Sequence, residues 1–136
     1  MSERILIITD DGSFTSRRRM LEERGFAVKV ARNADDGYQQ LIESQFDLAI
    51  VNIERASIGV DLIKRIRSSP SLTRLFVLTI AQWGSGQPTV ALAQGTDGFE
   101  RKPIEDERLI MAVERLLRPN MVMTAKASSA TGEFDE

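Results

Sequence analysis

The sequence predicts an α/β chain, a doubly wound five-stranded parallel sheet of strand order 2-1-3-4-5 in a three-layer sandwich. Three observations carry that expectation. Strand-like and helix-like patterns alternate five times. The runs ILII (5–8), DLAIVNI (47–53) and LFVLTI (75–80) are apolar with almost no alternation, as strands covered on both faces must be. The chain has 136 residues, 42% hydrophobic and 28% charged, which suits one domain around one real core. Right-handed crossovers leave few other arrangements of these elements.

The elements follow in order. Ile5–Ile8 is the first strand, cut off by Asp10-Asp11-Gly12. Ser13 suits the N-cap of a helix to about Arg24, with Phe14, Met20 and Leu21 inward and Gly25 at its stop. Phe26, Val28 and Val30 alternate with Ala27 and Lys29, a second strand nearer an edge. Asn33 can cap a helix over 34–44 whose apolar face is Ala34, Tyr38, Leu41 and Ile42, with Asp36 in its first turn. Residues 47–53 form the third strand. A helix over 59–67 lines up Val60, Ile63 and Ile66 with Leu62 beside them, and Pro70 lies beyond it. After the fourth strand (75–80), QWGSGQP (82–88) is a loop and 88–94 a short helix. A short fifth strand surrounds Phe99. The helix over 105–118 gathers Leu109, Ile110, Val113, Leu116 and Leu117 on one face before Pro119. The domain is expected over 1–118. Residues 119–136 are rich in Ser, Thr, Ala and Gly, show no sustained period, and are expected to form a flexible tail or linker stub.

Composition excludes several chemistries. The chain has no cysteine and no histidine, so disulfides, thiolate nucleophiles, Cys/His zinc sites and Ser-His dyads are absent. The net charge is −2, and residues 1–118 are neutral, with 17 basic and 17 acidic side chains. Such a body lacks the bulk charge of non-specific nucleic-acid binding. No apolar run is long enough to span a bilayer, and the N-terminus does not resemble a signal peptide. The expected location is cytoplasmic, with neither nucleic acid nor membrane as partner.

In a doubly wound sheet the functional crevice lies beyond the carboxyl ends of the strands flanking the switch point. Strands 1 and 3 end there in Thr9-Asp10-Asp11 and Asn52-Ile53-Glu54. On these motifs the chain resembles response-regulator receiver domains, the CheY-like, flavodoxin-like family of two-component and phosphorelay signalling, over about residues 3–118. ILIITDD resembles the first strand with its acidic pair, and FDLAIVN the third strand that normally ends in the phosphoacceptor aspartate. LFVLT places Thr79 at the hydroxyl position of the fourth strand. GTDGFERKP resembles the GADGYxxKP signature, with Phe99 at the aromatic switch position and Lys102-Pro103 closing it. The resemblance makes Lys102-Pro103 a candidate cis peptide. In the family a carboxylate takes a phosphoryl group from a histidine kinase or small donor. Mg²⁺ neutralises the gathered charge, while a lysine and a hydroxyl hold the phosphoryl oxygens.

This chain departs from that pattern. Asn52 occupies the phosphoacceptor position, and a neutral carboxamide is a poor nucleophile. Thr9 replaces the first acid, Asp10 fills the second place, and Asp11 follows it. The segment after Asn52 lacks the usual proline and reaches Gly59 about one residue early. Asp10 and Lys102 are expected to pair, leaving little pull on a cation. No cofactor is expected beyond weak or absent Mg²⁺ binding through Asp10 and Glu54. Simpler roles exist for each residue. Asp10 and Asp11 suit a turn before Gly12, Phe99 suits the core, and Trp83 suits a loop anchor or interface. Arg17-Arg18-Arg19 suits a solvated helix face, and GSG (84–86) a flexible loop.

The resemblance therefore implies a pseudo-receiver: no enzyme and no catalytic residue, but a phosphorylation-independent protein-interaction module. Its receiver pocket would be Thr9, Asp10, Asp11, Asn52, Thr79 and Lys102, and its switch Thr79 and Phe99. Partners would be a histidine kinase or a signalling output protein, with homodimerisation through the 88–118 face. Two alternatives stay open: an active receiver phosphorylated on Asp11 or Glu54, and a flavodoxin-like domain that binds a small ligand, for which Gly12 alone is a poor phosphate cradle. The 17 residues after the last helix have no room for an effector, so the chain is either a stand-alone receiver or a piece of a longer protein.

Overall fold

A computed structural model describes residues 2–82 and 95–119. Five strands, β1 (Arg4–Thr9), β2 (Ala27–Ala31), β3 (Leu48–Asn52), β4 (Phe76–Ala81) and β5 (Gly98–Arg101), alternate with helices. The described helices are α1 (Arg17–Glu22), α2 (Ala34–Glu43), α3 (Ala56–Ser68) and α4 (Asp106–Leu117). The sheet is parallel throughout, in the order β2-β1-β3-β4-β5, which is the predicted order.

Because side chains alternate along a strand, each strand feeds two cores. Leu6, Ile8, Ala49, Val51, Val77 and Ala81 pack under Leu41 of α2 and Leu62, Ile63 and Ile66 of α3. Ile5, Ile7, Leu48, Ile50, Leu78 and Ile80 pack under Leu21 of α1 and Leu109, Ile110 and Val113 of α4. Burying each such aliphatic side chain contributes about 1.5–3 kcal/mol. This two-sided cover is why the central strands need apolar residues at every position.

Local differences from the sequence expectation have physical causes. The first helix opens as a 3₁₀ turn over Gly12–Ser16, and Asp11 rather than Ser13 caps it, accepting the Ser13 amide. A carboxylate placed just ahead of the turn satisfies that amide directly and takes the capping role from the serine hydroxyl. Gly25, at φ +92°, ends the segment as expected. Asn33 caps α2 by accepting the Asp36 amide at 2.8 Å. Ile42 is not on the α2 core face, being 46% exposed. The helix instead approaches β1 through Gly37, where an added Cβ would lie 2.7 Å from Ile8. Helix α3 begins at Ala56, three residues before Gly59, which is buried inside it. The peptide Lys102-Pro103 is cis. The expectations for Trp83, the loop glycines at 84 and 86, the helix over 88–94 and the tail beyond Pro119 lie outside the described residues.

Candidate strand-end pocket

The switch point falls between β1 and β3, where Thr9 and Asn52 stand opposite in register. Both are buried, at 3% and 1% exposure. Asn52 Nδ2 donates to Thr9 Oγ1 at 3.1 Å. The same hydroxyl accepts the Asp11 amide at 3.0 Å and lies 3.3 Å from the Asp11 carbonyl. One residue on, Asp10 Oδ1 accepts the Glu54 amide at 3.1 Å. Two side-chain hydrogen bonds thus tie the end of β1 to the end of β3. Asn52 Oδ1 is buried with no hydrogen-bond donor, an arrangement that costs about 1–3 kcal/mol.

Asp11 takes a capping role, accepting the Ser13 amide at 3.0 Å and the Ser13 hydroxyl at 2.7 Å. Those bonds hold its carboxyl below the ordinary aspartate range, and the positive charge of Lys102 acts in the same direction. Lys102 follows β5 directly, is half-buried, and donates its amide to the Ala81 carbonyl at 2.9 Å. The expected Asp10–Lys102 ion pair is not formed among the described residues. Asp10 is turned onto the Glu54 amide instead.

Thr79 lies in β4, two residues before its end. It pairs in register with Val51 and lies between Leu78 and Ile80, so it points to the face of Val77 and Ala81. Asn52, next to Val51, points to the other face. The Thr79 hydroxyl meets Thr96 Oγ1 at 3.0 Å, and that oxygen lies 2.8 Å from Val77 O and 2.9 Å from Gly98 O. Continuing the register by one step sets Ile80, fully apolar and 1% exposed, beside Asn52. Phe99 pairs with Thr79, is half-buried and packs on the core under α2 and α3.

The residues present fit Mg²⁺ poorly. A hard dication prefers several anionic oxygens. Here Asp10 is the carboxylate nearest the strand ends, one of its oxygens already holds the Glu54 amide, and Glu54 is exposed. Among the described residues no three acidic side chains cluster as a metal site.

The arrangement and sequence place the chain in a known class. Residues 5–114 match the response regulator receiver domain, and the chain belongs to that family. It is 31% identical over 129 residues to the probable transcriptional regulatory protein SilR of Salmonella typhimurium, covering 91% of this chain and 55% of that protein. It is 25% identical over 126 residues to the transcriptional regulatory protein DltR of Streptococcus agalactiae, covering 90% of this chain and 55% of that protein. The chain spans about half the length of the curated relatives it matches. Among solved structures it resembles the signal receiver domain of a signal transduction histidine kinase from Syntrophus aciditrophicus. That likeness has a TM-score of 0.78 and 25% identity over 85% of this chain and 90% of that one. The receiver domain protein of Methanospirillum hungatei JF-1 has a TM-score of 0.76 at 24% identity, over 85% and 93% of the two chains. These likenesses show the CheY-like, flavodoxin-like α/β fold. Receiver domains are signalling modules, and no described helix is long and apolar enough to cross a membrane.

Sequence reasoning missed two residues. Thr96 stands where the GADG signature has alanine, which was the available signal. Arg17 was hidden in a run of three arginines. Its guanidinium is drawn to Ile104 O at 2.7 Å and Asp106 Oδ1 at 2.8 Å.

Proposed function

We propose that this receiver domain is a pseudo-receiver, which signals by protein contact without being phosphorylated. The observation that carries the reading is the buried Asn52 carboxamide bonded to Thr9, where a receiver of the usual kind presents its nucleophilic carboxylate. A carboxamide has no anionic oxygen to attack phosphorus. The donor set gives a dication little hold. On this reading the pocket carries out no phosphoryl transfer.

Protein partners of two-component signalling, a histidine kinase or an output protein, fit a module of this family. We assign the contact face to α4 and β5, where Met111 is 55% exposed on α4, and this face is also the one expected for homodimerisation. The assignment of 1–118 to the receiver and of the following residues to a linker belongs to the same proposal, as does a cytoplasmic location.

The test is incubation of the chain with acetyl phosphate and Mg²⁺, read by intact mass. The expected result is no adduct of phosphate mass. A stable adduct mapped by peptide analysis to Asp11, Glu54 or any other acid would overturn the reading.

A further inference from the structure

We propose that Arg17 is the positioning residue for Lys102, gripping the chain just after it and so fixing how it is presented at the strand-end crevice. The inference rests on the reading that Lys102 belongs to that crevice. Three observations support it. Arg17 begins α1, and its guanidinium lies over the ring of Phe14, 5.5 Å from the centroid. Phe14 is buried, so the arginine has a fixed base. From that base Nη2 donates to the Ile104 carbonyl at 2.7 Å, and Nη1 contacts Asp106 Oδ1 at 2.8 Å.

These two acceptors bracket the short connection from β5 to α4. Ile104 is two residues beyond Lys102 and is itself buried; Asp106 opens α4. On the other side of Lys102, its amide is tied to β4 through Ala81 O. The ammonium-bearing residue is thus held between one backbone bond before it and one guanidinium fork after it. The rigid guanidinium reaches both at once, Ile104 O through a hydrogen bond and Asp106 through an ion-pair contact, whereas a lysine would bring only a flexible point charge. The side chain of Arg17 is 24% exposed, whereas Arg18 and Arg19 in the same run are exposed. The first arginine therefore has a role that its neighbours do not share.

The experiment uses the full chain and measures the rate at which each lysine is acetylated by limiting acetic anhydride, read by peptide mass spectrometry. Lys29 and Lys64 are exposed and serve as internal references. In the unsubstituted chain Lys102 is expected to react several-fold more slowly than either. If it reacts as fast, its placement in the crevice fails and the proposal with it. Arg17→Met should raise the Lys102 rate several-fold while Lys29 and Lys64 keep theirs. Arg17→Lys should raise it less, because one contact can survive. Asp106→Asn, which weakens the fork without touching α1, should raise it in the same direction. An unchanged Lys102 rate in Arg17→Met overturns the positioning role even when the crevice placement stands. Equal acceleration of all three lysines overturns it too, since loss of the arginine would then merely loosen the fold.

Discussion

Asn52 differs from an aspartate by one nitrogen, and its surroundings are arranged for that nitrogen. Nδ2 has a partner in Thr9 Oγ1, while Oδ1 has none. Asn52→Asp would turn the donor into a second acceptor facing the hydroxyl and bury an anion at 1% exposure. The expected outcome is a variant that unfolds at lower temperature in the presence of a chelator. It should regain stability in millimolar Mg²⁺ and bind the ion more tightly than the unsubstituted chain. Thermal melts and calorimetric titration check both, and equal Mg²⁺ affinity would show that residue 52 does not face the crevice. A second residue-scale prediction concerns Gly37. An added methyl group would meet three carbons of Ile8 at 2.7–2.8 Å. Ile8 is fully buried and has nowhere to retreat, so Gly37→Ala should destabilise the fold by about 1–3 kcal/mol in urea unfolding.

At the scale of elements, much of the fold was legible because short rules decided it. Unbroken apolar runs marked the central strands, and Asn33 with Asp36 marked the start of α2. Asn33→Ala should cost about 1 kcal/mol by chemical denaturation, because the Asp36 amide loses its acceptor. What stayed illegible was orientation. The motif LTIA contains a hydroxyl one residue from the position facing Asn52, and only the pairing of β3 with β4 decides which face it takes. A shift of one residue along a strand exchanges the two faces, so the sequence pattern alone leaves the face taken by Thr79 open. Thr9, Asp10 and Asn52 gather at adjacent strand ends, a placement legible in advance because their order within each strand is unambiguous. Arg17 and Thr96 were missed for a different reason. Their partners lie 87 and 17 residues away, beyond the reach of any local pattern.

For the molecule as a whole, the two ends of the described domain are fastened together. Arg118 forms a two-pronged ion pair with Glu3, Nη2 to Oε1 and Nε to Oε2, both at 2.8 Å. It also donates to Arg24 O at 3.1 Å and lies over the Phe26 ring, 4.1 Å from its centroid. The hydrogen bonds from Arg118 hold the Glu3 carboxyl down at about 2, against an ordinary value of 4.5. A carboxyl depressed in the folded state contributes stability above its unfolded pKa and loses it as pH falls through the folded one. The contribution should therefore be complete above pH 4.5 and vanish on acidification towards about 2. With both side chains partly exposed, it is about 1 kcal/mol after allowance for solvent screening. Arg118→Ala should lower stability by about 1–2 kcal/mol at pH 7, including the lost ring contact. The gap from the unsubstituted chain should narrow between pH 4.5 and 2, and a gap independent of acidity would assign the effect to packing alone.

The Thr79–Thr96 hydroxyl contact has a consequence for how β4 is joined to the turn ahead of β5. Thr96 Oγ1 lies within reach of two carbonyls that can only accept, so its single hydrogen goes to one of them, and Thr79 must be the donor between the two hydroxyls. The Thr79 hydroxyl is thereby engaged just ahead of β5, where Phe99 is its partner in register. Thr79→Val would take that donor from Thr96 and loosen the join between β4 and the turn into β5, which hydrogen exchange at Asp97 and Gly98 would report.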